Sequence, residues 1–201
     1  MRSPVAKTIL AEAKTLPEGA LISAKELLHL GNRDAIDQAL SRLEKRKELM
    51  RVGRGVYVRP VQTRFGIRAP SAEKVVSRLA ETHAEIVAPH GAAAANALGL
   101  TTQVPAKVIY YTSGPNRSFK LGAQIVEMKH APNWMLLPGK GGAGEALRAL
   151  AWIGHHQAGA ALGKLKQQLP ESAVKELIGL RRGLPGWLSK SISQTLMVPH
   201  A

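Results

Sequence analysis

NRDAIDQALSRLEKRKELMRVGRGVYVRP, residues 32 to 60, is the stretch on which the fold turns. Ile36, Leu40 and Leu43 recur at i, i+4 and i+7 with Ala39 beside them, the apolar stripe of an amphipathic helix. Asn32 stands where an N-cap belongs, and Asp34 in the first turn suits the positive end of the helix dipole. The other face carries Arg33, Asp37, Gln38, Ser41, Arg42 and Lys45. From Leu49 to Arg59 the period changes. Val52, then Val56 and Val58, lie around Gly53-Arg54-Gly55, which predicts two short strands joined by a glycine-rich turn. Pro60 closes the unit.

Upstream, Ser3 to Leu16 predicts a helix with Val5, Ile9, Ala13 and Leu16 on one face, ended by Pro17-Glu18-Gly19. Leu21-Ile22 is a short apolar step. Ser23 with Glu26 three residues on has the capping-box pattern, ahead of a short helix through Leu27, Leu28 and Leu30 that Gly31 stops. Helix, short helix, turn, longer helix and ribbon, in that order, predict a winged helix-turn-helix over residues 1–60. A helix of this kind fits the major groove of DNA, where Gln pairs with adenine and Arg with guanine. Arg33, Asp37, Gln38, Ser41 and Arg42 are placed for base edges, and Lys45, Arg46 and Lys47 for phosphates. Arg51, Arg54 and Arg59 lie on the ribbon, with Arg54 between two glycines that let its backbone approach a phosphate or a narrow minor groove. A winged helix used only for protein contact, with a solvated charged face, is the plainer reading of the same residues.

Charge separates the two. The 201 residues carry 28 Lys+Arg against 14 Asp+Glu, a net +14, which points to a polyanionic partner. Residues 1–70 hold 14 basic and 7 acidic residues, and 71–201 hold the same numbers over nearly twice the length. From Arg42 to Arg68 there are nine Lys/Arg against two Glu, so the charge sits on the elements expected to dock.

Residues 61–70, VQTRFGIRAP, read as a basic linker without periodicity, and 71–201 as a mixed α/β domain. Ser71 heads a helix through His83 with Val75, Val76 and Leu79 inside, and Gly91 to Leu98 is an Ala-rich helix stopped by Gly99. Val104 to Thr112 predicts a strand, SGPNRS a turn, Leu121 to Lys129 the returning strand and Trp134 to Leu137 a third. Gly144 to His155 is helical, as is the chain from Ala158 onward apart from breaks at Pro170 and Pro185. The fold class is therefore α+β. Arg117 and Lys120, flanking the predicted turn, are accessory DNA contacts or a solvated loop; Arg181-Arg182 pose the same choice.

With no cysteine, a disulfide scaffold, a thiolate zinc site and a Cys nucleophile are excluded. Gly139 to Gly144 spells G-x-G-x-x-G, but a dinucleotide site needs a βαβ unit and an acid about 20 residues on. Glu171 is the next acid after Glu145 and lies beyond a proline. Glu127-Met128-Lys129 resembles half of a metal-dependent nuclease motif. The chain has only two Asp, Asp34 and Asp37, and no acid between Glu85 and Glu127, so a hard-metal site lacks its carboxylates. His29, His83, His90, His130, His155, His156 and His200 show no ligand spacing, and adjacent His155 and His156 are expected on different helix sides. No enzyme chemistry, cofactor or metal is expected. With no long apolar run and no signal-peptide core at the N-terminus, a cytoplasmic protein without membrane contact is expected.

Residues 31–60 resemble the N-terminal domain of the AbiEi-type antitoxin family. Its members show a Ser-Arg-x-Ala-Val-Asp-Gln-Ala-Leu-Ser-Arg-Leu helix and an Arg-Val-x-Arg-Gly-x-Tyr ribbon. Arg33, Ala35, Asp37 to Leu43, Arg51, Val52, Arg54, Gly55 and Tyr57 match. The strand–GPNR–strand segment, the Gly-to-helix step and LPGW carry a looser likeness through the C-terminal half. Two departures stand out: Asn32 replaces Ser, and Lys47-Glu48 replace the Gly that relatives often have after the helix. The resemblance implies the antitoxin of a type IV toxin–antitoxin pair. Such a protein binds inverted repeats of double-stranded DNA in its own promoter, represses it, and opposes a nucleotidyltransferase-like toxin without necessarily forming a stable complex. A monomer or weak dimer assembling on DNA is expected. The alternative is a stand-alone winged-helix regulator or accessory interaction protein with no toxin partner.

Overall fold

The computed structural model describes residues 4–197; Ser3, expected to open the first helix, and His200 lie outside the described residues. The chain is mixed α+β and divides into two compact units. Of the described residues, those up to 85 and 117–127 form one; 86–116 and those from 128 on form the other. The boundaries expected from the sequence lie at 60 and 70.

The first unit opens with α1 (Pro4–Thr15), β1 (Leu21–Ser23), a 3-10 helix (Glu26–Leu30) and α2 (Arg33–Lys45). Strands β2 (Met50–Gly53) and β3 (Val56–Val58) follow. Ala6, Ile9 and Ala13 of α1 bury against Ile36, Ala39, Leu40 and Leu43 of α2, with Ile22, Leu27, Leu49 and Tyr57 closing the core. The predicted apolar stripe is thus the buried one. The sheet has the order β1-β3-β2, antiparallel throughout, with Ile22 opposite Tyr57 and Arg51 opposite Tyr57. A register shift between Arg51 and Gly53 bends β2, and Gly55 (φ +70°) makes the turn.

Ser23 does not form a capping box. It ends β1, and its Oγ accepts from Lys25 N at 3.2 Å, a local turn that competes with capping and leaves only a five-residue 3-10 helix behind it. The stretch read as an aperiodic linker is a hairpin, β4 (Val61–Thr63) and β5 (Gly66–Arg68). Its strands have three residues each, too short to display a period of two. Helix α3 (Ala72–Thr82) buries Val75, Val76, Leu79 and Ala80.

In the second unit, β6 (Val87–Pro89) leads to α4 (Gly91–Ala97), then to β7 (Val108–Thr112), antiparallel to β6. The expected strand from Val104 begins only at Val108. Pro105 removes a ladder donor, and Val104 stays 81% exposed. The SGPNRS turn ends sooner than expected, because Arg117 opens β8 (Arg117–Leu121). Gly122 (φ +65°) then turns the chain into β9 (Gln124–His130). This sheet has the order β6-β7-β9-β8; β8 and Gln124–Glu127 fall in the first unit. Trp134 to Leu137 is not a strand. Pro132 fixes the entry to a single helical turn, α5 (Asn133–Leu136), with Met135 N bonded to Pro132 O at 2.9 Å. Helices α6 (Gly142–Ile153), α7 (His155–Gln168), α8 (Glu171–Leu180) and α9 (Gly186–Leu196) bury Leu147, Leu150, Leu162, Leu177, Leu188 and Ile192 together. Pro170 and Pro185 separate the last three, as expected. No helix of the described residues is long and apolar enough to cross a membrane.

Candidate nucleic-acid interface

Helix α2 is fixed at both ends by local chemistry. Asn32 Oδ1 accepts from Ala35 N at 2.9 Å, the expected N-cap. At the other end Glu48 N bonds Leu43 O at 2.9 Å and Lys47 N bonds Glu44 O at 2.8 Å, the crossed pair of a Schellman motif. Lys47 itself takes the left-handed conformation (φ +59°), so the turn forms without a glycine. α3 ends in the same way at Ala84 (φ +52°), and α4 at Gly99 (φ +65°).

With one face buried, the other presents Arg33, Asp37, Gln38, Arg42 and Lys45 to solvent; Ser41 is half-buried. Arg33 Nε holds Asp37 Oδ2 at 2.8 Å, and both side chains remain about half exposed. Arg42 Nη2 lies 3.4 Å from Gln38 Oε1, at the outer edge of a hydrogen bond. Arg54 is exposed at the β2–β3 turn, and Arg51 is exposed on β2 with its Nε bonded to Gly53 O at 3.1 Å. A Cβ added at Gly55 would stand 3.7 Å from Arg33 Nη2, so this turn approaches the first turn of α2. The ribbon tip and the start of α2 therefore form one basic surface. Arg59 is not part of it. Half-buried, it lines a cavity of about 320 Å³ with Lys14, Arg46 and Lys47, against Leu10 and Ile67.

The two accessory candidates part company. Arg117 grips Glu85 with both terminal nitrogens, at 2.8 and 2.6 Å, and the Glu85 side chain is only 8% exposed. That guanidinium fork is used to hold β8 to the end of α3. Lys120, also on β8, is exposed. Arg182 is exposed, whereas Arg181 Nη1 bonds Ile178 O at 2.8 Å.

Three features escaped sequence reasoning. Phe65, at the tip of the β4–β5 hairpin, is 86% exposed with the Arg64 guanidinium 4.6 Å from its ring centroid; Thr63 and Gly66 around it were the turn signal. Glu18 accepts from Lys74 Nζ at 2.6 Å, Arg68 Nη1 at 2.9 Å and Ser71 N at 3.0 Å, and these donors, Lys74 foremost, lower its pKa to about 2. Arg148 is fully buried in α6; Nη1 bonds Met135 O and Gly139 O at 3.1 and 2.8 Å, while Nε and Nη2 have no hydrogen-bond partner. Burial lowers its pKa.

The G-x-G-x-x-G run follows helix α5 rather than a strand, and Gly144 packs so closely that a Cβ would meet Gly139 O at 2.3 Å. Gly144 thus serves packing, whereas a Cβ at Gly139 or Gly141 would meet nothing within 4 Å. His155 and His156 do not diverge: their ring centroids are 3.7 Å apart, because they open α7, where no preceding helical turn separates them. Among the described residues no three His, Asp or Glu side chains group as metal ligands.

A family of unknown function, DUF6088, has a model that matches residues 8–177. No curated protein and no solved structure matches the chain.

Proposed function

We propose for this chain, which belongs to the DUF6088 family of unknown function, the role of a DNA-binding autorepressor and antitoxin. Residues 4–58 are its winged helix-turn-helix. The helix order and the β1-β3-β2 sheet support that reading. The observation that carries it is the surface made by the exposed face of α2 and the Arg54 turn beside its first residues. α2 lies along the major groove with its exposed face toward the bases. Gln38 and Arg42 read base edges, Arg33 balances Asp37, and Lys45, Arg51 and Arg54 meet phosphates.

A titration on the duplex upstream of its own reading frame tests this. Arg42→Ala or Gln38→Ala costs about 1–3 kcal/mol of specific affinity and relaxes sequence preference. Arg54→Ala weakens binding evenly across sequences and reduces the salt slope by about one. Equal affinity of wild type and an Arg42/Arg54 double mutant would contradict the docking.

The antitoxin half of the proposal is supported by the likeness to the AbiEi-type family. Its test is genetic: a neighbouring nucleotidyltransferase-like reading frame arrests growth alone and is tolerated with this chain. Absence of such a neighbour leaves a stand-alone regulator.

A further inference from the structure

We propose that the β4–β5 hairpin is a second DNA arm, which seats Phe65 as a wedge between base steps of the minor groove. The inference rests on the DNA-binding reading and extends it to a second groove.

The hairpin contributes little to any core. Of its strand residues, Gln62, Thr63, Gly66, Ile67 and Arg68 are exposed and Val61 is half-buried. A two-stranded ribbon with so little burial is marginal by itself, yet its tip is held in a defined turn. Thr63 Oγ1 donates to Gly66 O at 2.8 Å and accepts from Phe65 N at 3.2 Å. Its base is held too, by Arg68 Nη1 bonded to Glu18 Oε1 and to Ala69 O, each at 2.9 Å. Fixed at base and turn, the ribbon presents a phenylalanine that is 86% exposed, stacked with an arginine. Water is a poor environment for that ring, whereas a base step offers it two π-faces.

Charge selects nucleic acid over a protein partner. From Leu49 to Ala72 the chain has five Arg and no Asp or Glu. At the hairpin base, Lys14, Arg46, Lys47 and Arg59 line the cavity of about 320 Å³ between the ends of α1 and α2, opposed by Glu48. A phosphodiester fits that basic recess. The Arg54 turn stands at the first turn of α2 and the hairpin at its last. The Arg54 turn and the hairpin strands, at Gln62 and Ile67, thus stand at opposite ends of the 13-residue helix, which is about 20 Å long.

Reach and width make the arm's action specific. From Val61 to Phe65 an extended chain covers about 13 Å, and the minor groove is about 7.5 Å deep. The strands of a ribbon lie about 4.8 Å apart before side chains are added, so the ribbon overfills a groove about 6 Å wide. Entry therefore has to open the groove and unstack a step, which bends the duplex toward its major groove, the side α2 occupies.

The test uses the full chain and an end-labelled duplex from upstream of its reading frame, with affinity by anisotropy and bending by energy transfer between the ends. Wild type binds and bends it. Phe65→Ala, at an exposed position, binds about 10-fold more weakly and loses most of the bend. Phe65→Trp keeps the bend, and its indole fluorescence is quenched on binding. Arg42→Ala loses affinity but leaves the bend of the bound complex unchanged. If wild type binds specifically and Phe65→Ala binds and bends identically, the arm is overturned while the DNA reading stands. The same holds if Phe65→Ala changes only self-association in sedimentation, which makes the tip a protein contact. If wild type shows no preference for the upstream duplex, the underlying reading fails and takes the arm with it.

Discussion

Lys47 and Ala84 carry the same local conflict: an L-residue in the left-handed region that a Schellman turn requires. Glycine meets no Cβ penalty there. Lys47→Gly and Ala84→Gly should each raise unfolding stability by about 0.5–1 kcal/mol, read by urea denaturation; a loss in both would mean that backbone entropy outweighs the strain. Glu18 makes an opposite, pH-dependent prediction. Its pKa is lowered from 4.5 to about 2 in the folded protein by Lys74, the Ser71 amide and Arg68. A lowered folded-state pKa means stability that is present above pH 4.5 and lost as the pH falls toward 2. The full shift corresponds to about 3 kcal/mol; with both cationic partners half exposed, about 1–2 kcal/mol remains after screening. Glu18→Gln should remove that increment at pH 7 and flatten the stability curve between pH 4.5 and 2. An unchanged curve would mean that the three donors do not hold the carboxylate in solution.

Among the elements, α2 was legible because every determinant is local. Asn32, the i, i+4, i+7 stripe and the change of period at Leu49 all act within a few residues. The β4–β5 hairpin and the single turn of α5 were not, since three-residue strands and a four-residue helix are shorter than the windows in which periodicity exists. The exposed face of α2 allows a further prediction. Asp37, like Asp34, is an exposed acid of this helix, and Arg33 pairs with Asp37 at 2.8 Å beside Gln38, Arg42 and Lys45. Asp37→Asn releases that guanidinium to a phosphate and removes a repulsive charge. Non-specific DNA affinity should rise, with the log K against log salt slope steeper by about one. An unaltered slope would place Asp37 outside the contact.

On the scale of the whole molecule, the sequence showed the clustering of charge and concealed the way the chain is interleaved. The first unit recruits residues 117–127 after an excursion of 31 residues through the second. Arg117 reaches back to Glu85, and β8 packs against β2 of the ribbon. Such contacts link residues far apart in sequence, and no local pattern encodes them. That is why Arg117, legible as a basic turn residue, proved to be the partner of an acid whose side chain is almost entirely buried. Arg148 was invisible for the same reason: a lone cation in an apolar helix looks solvated until distant carbonyls at Met135 and Gly139 are brought to it.

The most direct measurement is an anisotropy titration of the intact chain against its upstream duplex and a scrambled duplex of equal length, over a series of salt concentrations, for wild type and Arg42→Ala. Wild type should prefer the upstream duplex with a steep salt slope, and Arg42→Ala should lose that preference while keeping most of the slope. Equal affinity of wild type for the two duplexes, or no effect of Arg42→Ala on the preference, would contradict a base-reading role for the exposed face of α2.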